Sequence, residues 1–151
     1  MVQTTETLSS GLEDYIEAVY VAHLNETPLK GADLARKLNV SRASVSEALA
    51  KLVSKGLIMY NSYSAITLTE IGVDTAKNVY AKHHILKNFF EQVLDVPAQE
   101  ASENACKIEH IISQNILDKM IRFTAFCQNH ESFIAEFREE TPKSDTNFIN
   151  R

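Results

Sequence analysis

The 151-residue sequence lacks the features of several protein classes. No apolar run approaches the roughly 18 residues that a membrane-spanning helix requires. The N-terminus, MVQTTETLSSGLEDY, has neither the basic nor the apolar region of a secretory signal peptide. Its two cysteines, Cys106 and Cys127, are too few for a disulfide framework. We therefore expect a soluble cytoplasmic protein that makes no membrane contact.

An excess of positive charge is also missing, since the formal net charge at pH 7 is −5. This balance argues against a protein coated with nucleic acid, but it does not exclude a local basic face. Such a face is present in residues 30–55, where six basic and two acidic residues give a formal charge of +4. The hydrophobic fraction of 44% is ordinary for a globular protein with a real core.

Hydrophobic spacing predicts a mainly α-helical chain that is interrupted by one β-hairpin. Strand formers dominate residues 57–60 and 66–68, and the sequence NSYS between them is typical of a turn. Apolar residues recur at helical intervals in the remaining segments, which are 11–24, 27–40, 41–56, 69–94, 98–113, 114–127 and 129–139.

The order helix, short helix, turn, helix and hairpin is that of a winged helix-turn-helix, in which the third helix enters the DNA major groove. Short hydroxyls and a small apolar side chain suit base edges and thymine methyls, and basic residues meet phosphates. A helical bundle with a solvated basic face is the alternative, and the hairpin directly after the third helix favours DNA binding. The candidate DNA-binding residues are Ser41, Arg42, Ala43, Ser44, Glu47 and Lys51.

The segment ACKIEHIIS (105–113) gathers a thiol, a carboxylate and an imidazole from Cys106, Glu109 and His110. Positions i, i+3 and i+4 share one face of a helix, so a single helix would present all three to one cation. Thiolate and imidazole are borderline-soft ligands and carboxylates are hard. The mixture suits Fe²⁺, Mn²⁺, Co²⁺ or Zn²⁺ better than Mg²⁺ or Ca²⁺.

Three residues outside this segment are weaker candidate ligands. Asp14 and Glu17 have i, i+3 spacing on the first helix, and His83 lies midway along the long helix. Each has an ordinary alternative: the helix dipole favours acids in a first turn, and a lone histidine is commonly a satisfied core or surface residue. A buried thiol without a ligand role is the interpretation we favour for Cys127.

Several segments, taken together and in order, are more specific than any single motif. They are LEDYIEAVY, VSRASVSEALAKLVSKGLI, ITLTEIG, VYAKHHILKNFF and ACKIEHIIS. With them the chain resembles, from about residue 11 to about residue 130, the diphtheria-toxin-repressor and manganese-transport-regulator family of metal-dependent transcriptional regulators. The resemblance implies a homodimer with metal bound between a winged helix and a helical dimerisation region. The loaded dimer would repress the promoters of metal-uptake genes.

The resemblance also implies roles for individual residues. Cys106 falls where iron-type members have Cys and a manganese-type member has Glu, so the corepressor stays open between Mn²⁺ and Fe²⁺, with Zn²⁺ or Co²⁺ able to substitute. The implied base-facing residues are Ser41, Ala43, Ser44 and Glu47. The implied metal ligands are Asp14, Glu17, His83, Cys106, Glu109 and His110.

The sequence departs from the family pattern at two positions near these ligands. Lys87 stands where many members have Glu, and Ser102 stands where iron-type members have a His ligand, which puts an ancillary metal site in doubt. The chain also ends without the third, SH3-like domain of longer members. The expected form therefore has a DNA-binding domain at 1–72, a helical metal-binding and dimerisation domain at 73–140 and a flexible tail at 141–151.

Two other functions compete with this interpretation. A small zinc hydrolase would need an open coordination position and a placed general base, and the chain has no H-E-x-x-H motif, so we expect no enzyme. A winged-helix regulator that senses a small molecule, or that acts without metal, is the second alternative, with Cys106 as a structural residue. Metal-independent DNA binding would favour that alternative.

The final helices contain the apolar residues expected in the dimer core. The alternative is that some of them belong to the core of a monomer. These residues are Phe89, Phe90, Ile111, Ile112, Ile116 and Leu117.

Overall fold

The structure, a computed structural model, describes residues 8–62 and 64–140, so the predicted tail at 141–151 lies outside the described residues. The described part contains helices and one two-stranded sheet, in the order α1 (Ser10–Leu24), α2 (Gly31–Leu38), α3 (Arg42–Ser54), β1 (Ile58–Met59), β2 (Thr67–Leu68), α4 (Glu70–Gln92), α5 (Ala98–Ile108), α6 (Gln114–Gln128) and α7 (Glu131–Glu139). None of the described helices is both long and apolar enough to cross a membrane.

The chain divides into two compact units, Met1–Lys82 and His83–Arg151. The division falls inside α4, whereas the boundary expected from the sequence lay between residues 72 and 73. The mainly helical class is confirmed, with a winged helix-turn-helix in the first unit and helices alone in the described part of the second.

The first unit is built on a core shared by α1, α2 and α3. Ile16, Leu34 and Leu52 are completely buried at its centre. Asn39 adopts a left-handed conformation (φ 53°) directly after α2, and it turns the chain towards α3. The Ser41 hydroxyl then accepts a hydrogen bond from the backbone N–H of Ser44 and caps α3. These local features fix the angle at which α3 leaves the turn.

The wing is a short antiparallel hairpin in which Ile58 pairs with Leu68. The Thr69 hydroxyl donates to the Gly56 carbonyl at 2.7 Å and accepts from the Gly72 N–H at 3.0 Å, so it ties the start of α4 to the start of the hairpin. Gly72 packs so closely here that a Cβ atom would overlap the Leu57 carbonyl. A glycine is therefore required at this position.

The second unit contains two small apolar cores. Leu86, Ala105 and Leu117 form the first, where α4, α5 and α6 meet. The second is formed by Val93, Cys127 and Ile134, and its buried thiol agrees with the interpretation favoured for Cys127. The Arg138 guanidinium donates to the Gln92 carbonyl at 2.9 Å and so holds α7 against the end of α4.

The helix predicted over 98–113 is wrong in its last part, because α5 ends at Ile108. The N–H groups of Ile111 and Ile112 both donate to the Ile108 carbonyl at 3.0 Å, which closes a tight turn. Ser113 then caps α6 by accepting from the Ile116 N–H at 3.4 Å. Glu109 and His110 therefore lie in a turn instead of on a helical face.

The residues predicted for a dimer core divide into two groups. Leu117 is fully buried in the core of its own unit, so the prediction that it faces a partner is wrong. Phe89, Phe90 and Ile112 are partly buried against the same two cores. Ile111 and Ile116 are 82% and 50% exposed and stay available to a partner.

The close approach at Gly72 gives the first prediction. Gly72→Ala should lower the free energy of unfolding by about 1–3 kcal/mol, the usual range for overpacking, because the new methyl group must displace the Leu57 backbone. Urea denaturation followed by circular dichroism measures the change. Gly11→Ala in α1 is the matched control, because open space surrounds Gly11 and alanine favours the helix. Equal stability of the two variants would contradict the assigned packing.

Candidate metal centre and nucleic-acid interface

The packing of α4 against the end of α5 brings His83 and Glu109 together. The Nδ1 atom of His83 lies 2.8 Å from Oε2 of Glu109. The Glu109 side chain is fully buried, and the His83 side chain is 14% exposed. Burial of a carboxylate is unfavourable unless a partner compensates its charge, so the contact with His83 helps to make the burial of Glu109 possible.

The second carboxylate oxygen of Glu109 has no such compensation. Oε1 is buried and makes no hydrogen bond among the residues that the structure describes. Nε2 of His110 lies 3.7 Å from Oε1, which is beyond hydrogen-bonding distance. Buried polar atoms are nearly always satisfied, so an oxygen without a hydrogen bond is open to an ion or a water molecule as its partner.

Cys106 completes a group of three potential ligands. One ligand atom from each of His83, Cys106 and Glu109 lies within 4.8 Å of the other two. Two atoms that are each about 2.0–2.3 Å from one ion are separated by at most about 4.6 Å, so the group is close to the size of a coordination shell. Its imidazole, thiolate and carboxylate suit a first-row transition metal. The residues present therefore fit a divalent metal ion.

The ligands do not gather in the way the sequence suggested. Among the described residues, Cys106 forms a close group with His83 and Glu109, and His110 is not a member of that group. The expectation that one helix carries Cys106, Glu109 and His110 is wrong, because α5 ends at Ile108. Their convergence on one cation stays a prediction. His83, a weak candidate on sequence spacing alone, is a member of the group.

Asp14 and Glu17 lie one turn apart on α1 in the first unit, and both are half-buried. Their i, i+3 spacing on a regular helix is as expected from the sequence. Their role as ligands stays a prediction.

Two residues noted as departures from the family pattern have defined partners. Lys87 forms an ion pair with Glu91 at 3.7 Å. The Ser102 hydroxyl oxygen lies 3.4 Å from Nε2 of His83. Ser102 and Cys106 have i, i+4 spacing on α5, so they lie on the same face of that helix. This spacing is a sign in the sequence that Ser102 lies near the site.

The neighbouring imidazole of His84 is biased towards its neutral form. Burial lowers the pKa of His84 below its usual value, and the positive charges of His83 and Lys87 act in the same direction. A neutral imidazole has one nitrogen lone pair for a hydrogen bond or a metal.

The outward face of α3 presents the residues predicted to contact DNA. Val45, Leu49 and Leu52 bury the opposite face of the helix in the core of the first unit. All six predicted DNA-binding residues are exposed, namely Ser41, Arg42, Ala43, Ser44, Glu47 and Lys51.

Two pairs of polar side chains order this face. The hydroxyls of Ser41 and Ser44 are 2.8 Å apart, and Nζ of Lys51 donates to Oε1 of Glu47 at 2.7 Å. The hydrogen bond and charge of Lys51 lower the pKa of Glu47, so its carboxylate is ionised at neutral pH. An ionised carboxylate only accepts hydrogen bonds, so it can accept one from the amino group of a cytosine in the major groove.

Two family models match consecutive parts of the chain. The model described as "Iron dependent repressor, N-terminal DNA binding domain" matches residues 7–66. The model described as "Iron dependent repressor, metal binding and dimerisation domain" matches residues 69–132. Between them they cover both units of the structure.

Individual relatives agree with these matches. An HTH-type transcriptional regulator of Methanocaldococcus jannaschii is 38% identical over 114 residues, which are 75% of this chain and 91% of that protein. The HTH-type transcriptional regulator MntR of Listeria welshimeri is 28% identical over 137 residues, 90% of this chain and 96% of that protein.

Solved structures show the same fold. A manganese-dependent transcriptional repressor in complex with manganese has a TM-score of 0.70 and 25% identity, with 76% of this chain and 53% of that chain covered. The manganese regulator SloR has a TM-score of 0.68 and 27% identity, with 76% and 54% covered. The present chain therefore spans about half the length of these two solved chains.

The two matched domains confirm, at the level of the family, the prediction of a metal-dependent repressor. One domain is for DNA binding, and the other is for metal binding and dimerisation. The family is one of transcriptional regulators. From the two domain matches and the 38% identical relative, the chain belongs to the iron-dependent repressor family, that of the diphtheria toxin repressor and the manganese transport regulator.

Proposed function

We propose that this protein represses the promoters of metal-uptake genes as a homodimer, with Mn²⁺ or Fe²⁺ as corepressor. The observation that carries the proposal is the buried Glu109 carboxylate, which has one oxygen on His83 and the other without a hydrogen bond among the described residues. Two of the similar solved structures are a manganese regulator and a manganese-dependent repressor, which supports Mn²⁺. Zn²⁺ or Co²⁺ can substitute, because both accept the same ligand types.

The chain's own residues hold the metal and transmit its presence. His83, Cys106 and Glu109 form the close ligand group, with His110 beside Glu109. When bound, the metal ion would supply positive charge to compensate the negative charge of its acidic ligands. Asp14 and Glu17 are included as ligands because the family resemblance implies them, and their helix belongs to the DNA-binding unit. Metal binding and DNA binding then form one coupled equilibrium, in which each raises the affinity for the other.

Dimerisation uses the exposed apolar residues of the second unit. Ile111, Phe126 and Phe133 are among the large apolar side chains that its surface leaves open to solvent. Exposed apolar residues grouped on one surface mark association sites. A twofold dimer places two copies of α3 at a fixed separation, which sets the spacing of the operator half-sites.

The protein acts without catalysis and in the cytoplasm. The side chains on the exposed face of α3 suit contacts with base edges and phosphates, and hydrogen bonds hold them in place. Such contacts bind DNA without changing it chemically. Its bacterial and archaeal relatives belong to cells whose genomic DNA lies in the cytoplasm.

Fluorescence anisotropy with the protein's own promoter region tests this function. Under anaerobic conditions, the DNA should stay unbound with chelator and become bound after Mn²⁺ or Fe²⁺ is added at buffered concentrations. The ranking of Mn²⁺, Fe²⁺ and Zn²⁺ then identifies the preferred corepressor. Equal binding in chelator would overturn the proposal and favour a regulator that acts without metal.

Glu17→Ala should abolish the stimulation of DNA binding by metal, because it removes a ligand from the DNA-binding unit. Glu13→Ala, on the same helix and also half-buried, should keep the stimulation and serves as the control. The anisotropy titration is repeated for both variants, with circular dichroism to verify folding. Full stimulation of Glu17→Ala would remove that residue from the site.

Glu109→Gln should abolish the stabilisation of the protein by Mn²⁺. A ligand present at about 100 times its Kd stabilises the folded state by roughly 2.7 kcal/mol, and the variant loses the anionic oxygen that binds it. Thermal unfolding with and without Mn²⁺ measures the effect. Glu103→Gln is the control, since Glu103 is exposed on α5 and bonds only to Gln99 among the contacts recorded. A Mn²⁺ shift retained in Glu109→Gln would argue against this centre.

Arg42→Ala should weaken DNA binding and make it less dependent on salt. One lost phosphate contact lowers the slope of log K against log salt concentration by about 1. The slope is obtained from anisotropy titrations at several NaCl concentrations with saturating metal. Lys119→Ala, an exposed residue of α6, should leave it unchanged. An unchanged slope for Arg42→Ala would mean that Arg42 faces away from phosphate.

A further inference from the structure

His83 has a polar partner at each ring nitrogen. Nδ1 lies 2.8 Å from Oε2 of Glu109, and Nε2 lies 3.4 Å from the Ser102 hydroxyl oxygen. Since the ring is only 14% exposed, its nitrogens depend largely on protein groups for hydrogen bonds. Ser102 is half-buried on α5, one turn before Cys106.

The two partners differ in the hydrogen bonds that they can make. An ionised carboxylate only accepts, whereas a serine hydroxyl both donates and accepts and can rotate to do either. A neutral imidazole has one N–H and one lone pair. Ser102 can therefore match Nε2 in both tautomers of His83, and Glu109 can match Nδ1 only when Nδ1 carries the proton.

We propose that Ser102 is a positioning residue for the metal ligand His83. Its hydroxyl accepts a hydrogen bond from the Nε2–H group, which leaves the lone pair on Nδ1, beside Glu109, for the metal. This inference rests on the proposed function. Histidines that bind metals almost always donate their other N–H to a neighbouring acceptor, and this partner fixes the tautomer and the ring orientation.

The opposite arrangement would place the metal at Nε2 and have Nδ1–H donate to Glu109. The positions of the partners argue against it, because the Ser102 hydroxyl lies at Nε2, where the ion would have to bind. It would also use Oε2 of Glu109 as a hydrogen-bond acceptor for His83. With Nδ1 as the ligand atom, both carboxylate oxygens and the imidazole can serve the same ion.

Variants of Ser102 in the full-length protein test the inference. Ser102→Ala should raise the Kd for Mn²⁺ about 10- to 100-fold, the usual effect of removing such a partner, as measured by competition with a fluorescent chelator. Ser102→Thr keeps the hydroxyl and should restore most of the affinity. Circular dichroism without metal verifies that Ser102→Ala keeps the wild-type fold. Ser132→Ala, an exposed serine on α7, is the control.

A direct readout is the tautomer of His83 in the Zn²⁺ complex, which long-range ¹H–¹⁵N NMR reports. The proton should lie on Nε2. A proton on Nδ1, a Mn²⁺ affinity unchanged by Ser102→Ala, or an affinity loss that Ser102→Thr does not restore would each overturn the inference. If the wild type itself fails to bind Mn²⁺, the proposed function fails with it. Wild-type binding together with an unaffected Ser102→Ala overturns the inference alone.

Discussion

The burial of one carboxylate, that of Glu109, is the constraint on which the second unit depends. Its side chain is closed to solvent, and His83 is its one recorded hydrogen-bond partner. Leaving a buried polar group without its partner typically costs about 1–3 kcal/mol, and more where the group is charged. Oxygen Oε1 already lacks a hydrogen bond among the described residues. A cation bound at Oε1 would relieve this deficit.

The backbone around Glu109 explains how an acid comes to be placed inside. In the turn after α5, two backbone N–H groups donate to the Ile108 carbonyl, and the chain changes direction. Within three residues it places Glu109 in the interior and leaves Ile111 82% exposed. The same turn therefore places Glu109 at the proposed metal centre and Ile111 on the surface proposed for dimerisation.

The sequence predicts the first unit better than the second for a physical reason. Ser41 and Thr69 are caps whose effect is local, and local hydrogen bonds can be inferred from the residues themselves. The end of α5 has no glycine or proline, and its apolar residues continue the helical period, so the turn depends on tertiary packing. The contact between His83 and Glu109 joins residues 26 positions apart, which spacing along one helix does not reveal.

The predicted recognition helix, α3, is held by the core of its own unit, and this limits how metal can act. Val45, Leu49 and Leu52 anchor α3 in the core of its own unit. The Glu47–Lys51 ion pair on its outer face is exposed, and such pairs contribute little to stability, so either side chain can exchange its partner for DNA. The folding of α3 is therefore not the step that metal controls. Under the proposed function, we expect a corepressor instead to shift the population of states in which two such helices match the two half-sites of an operator.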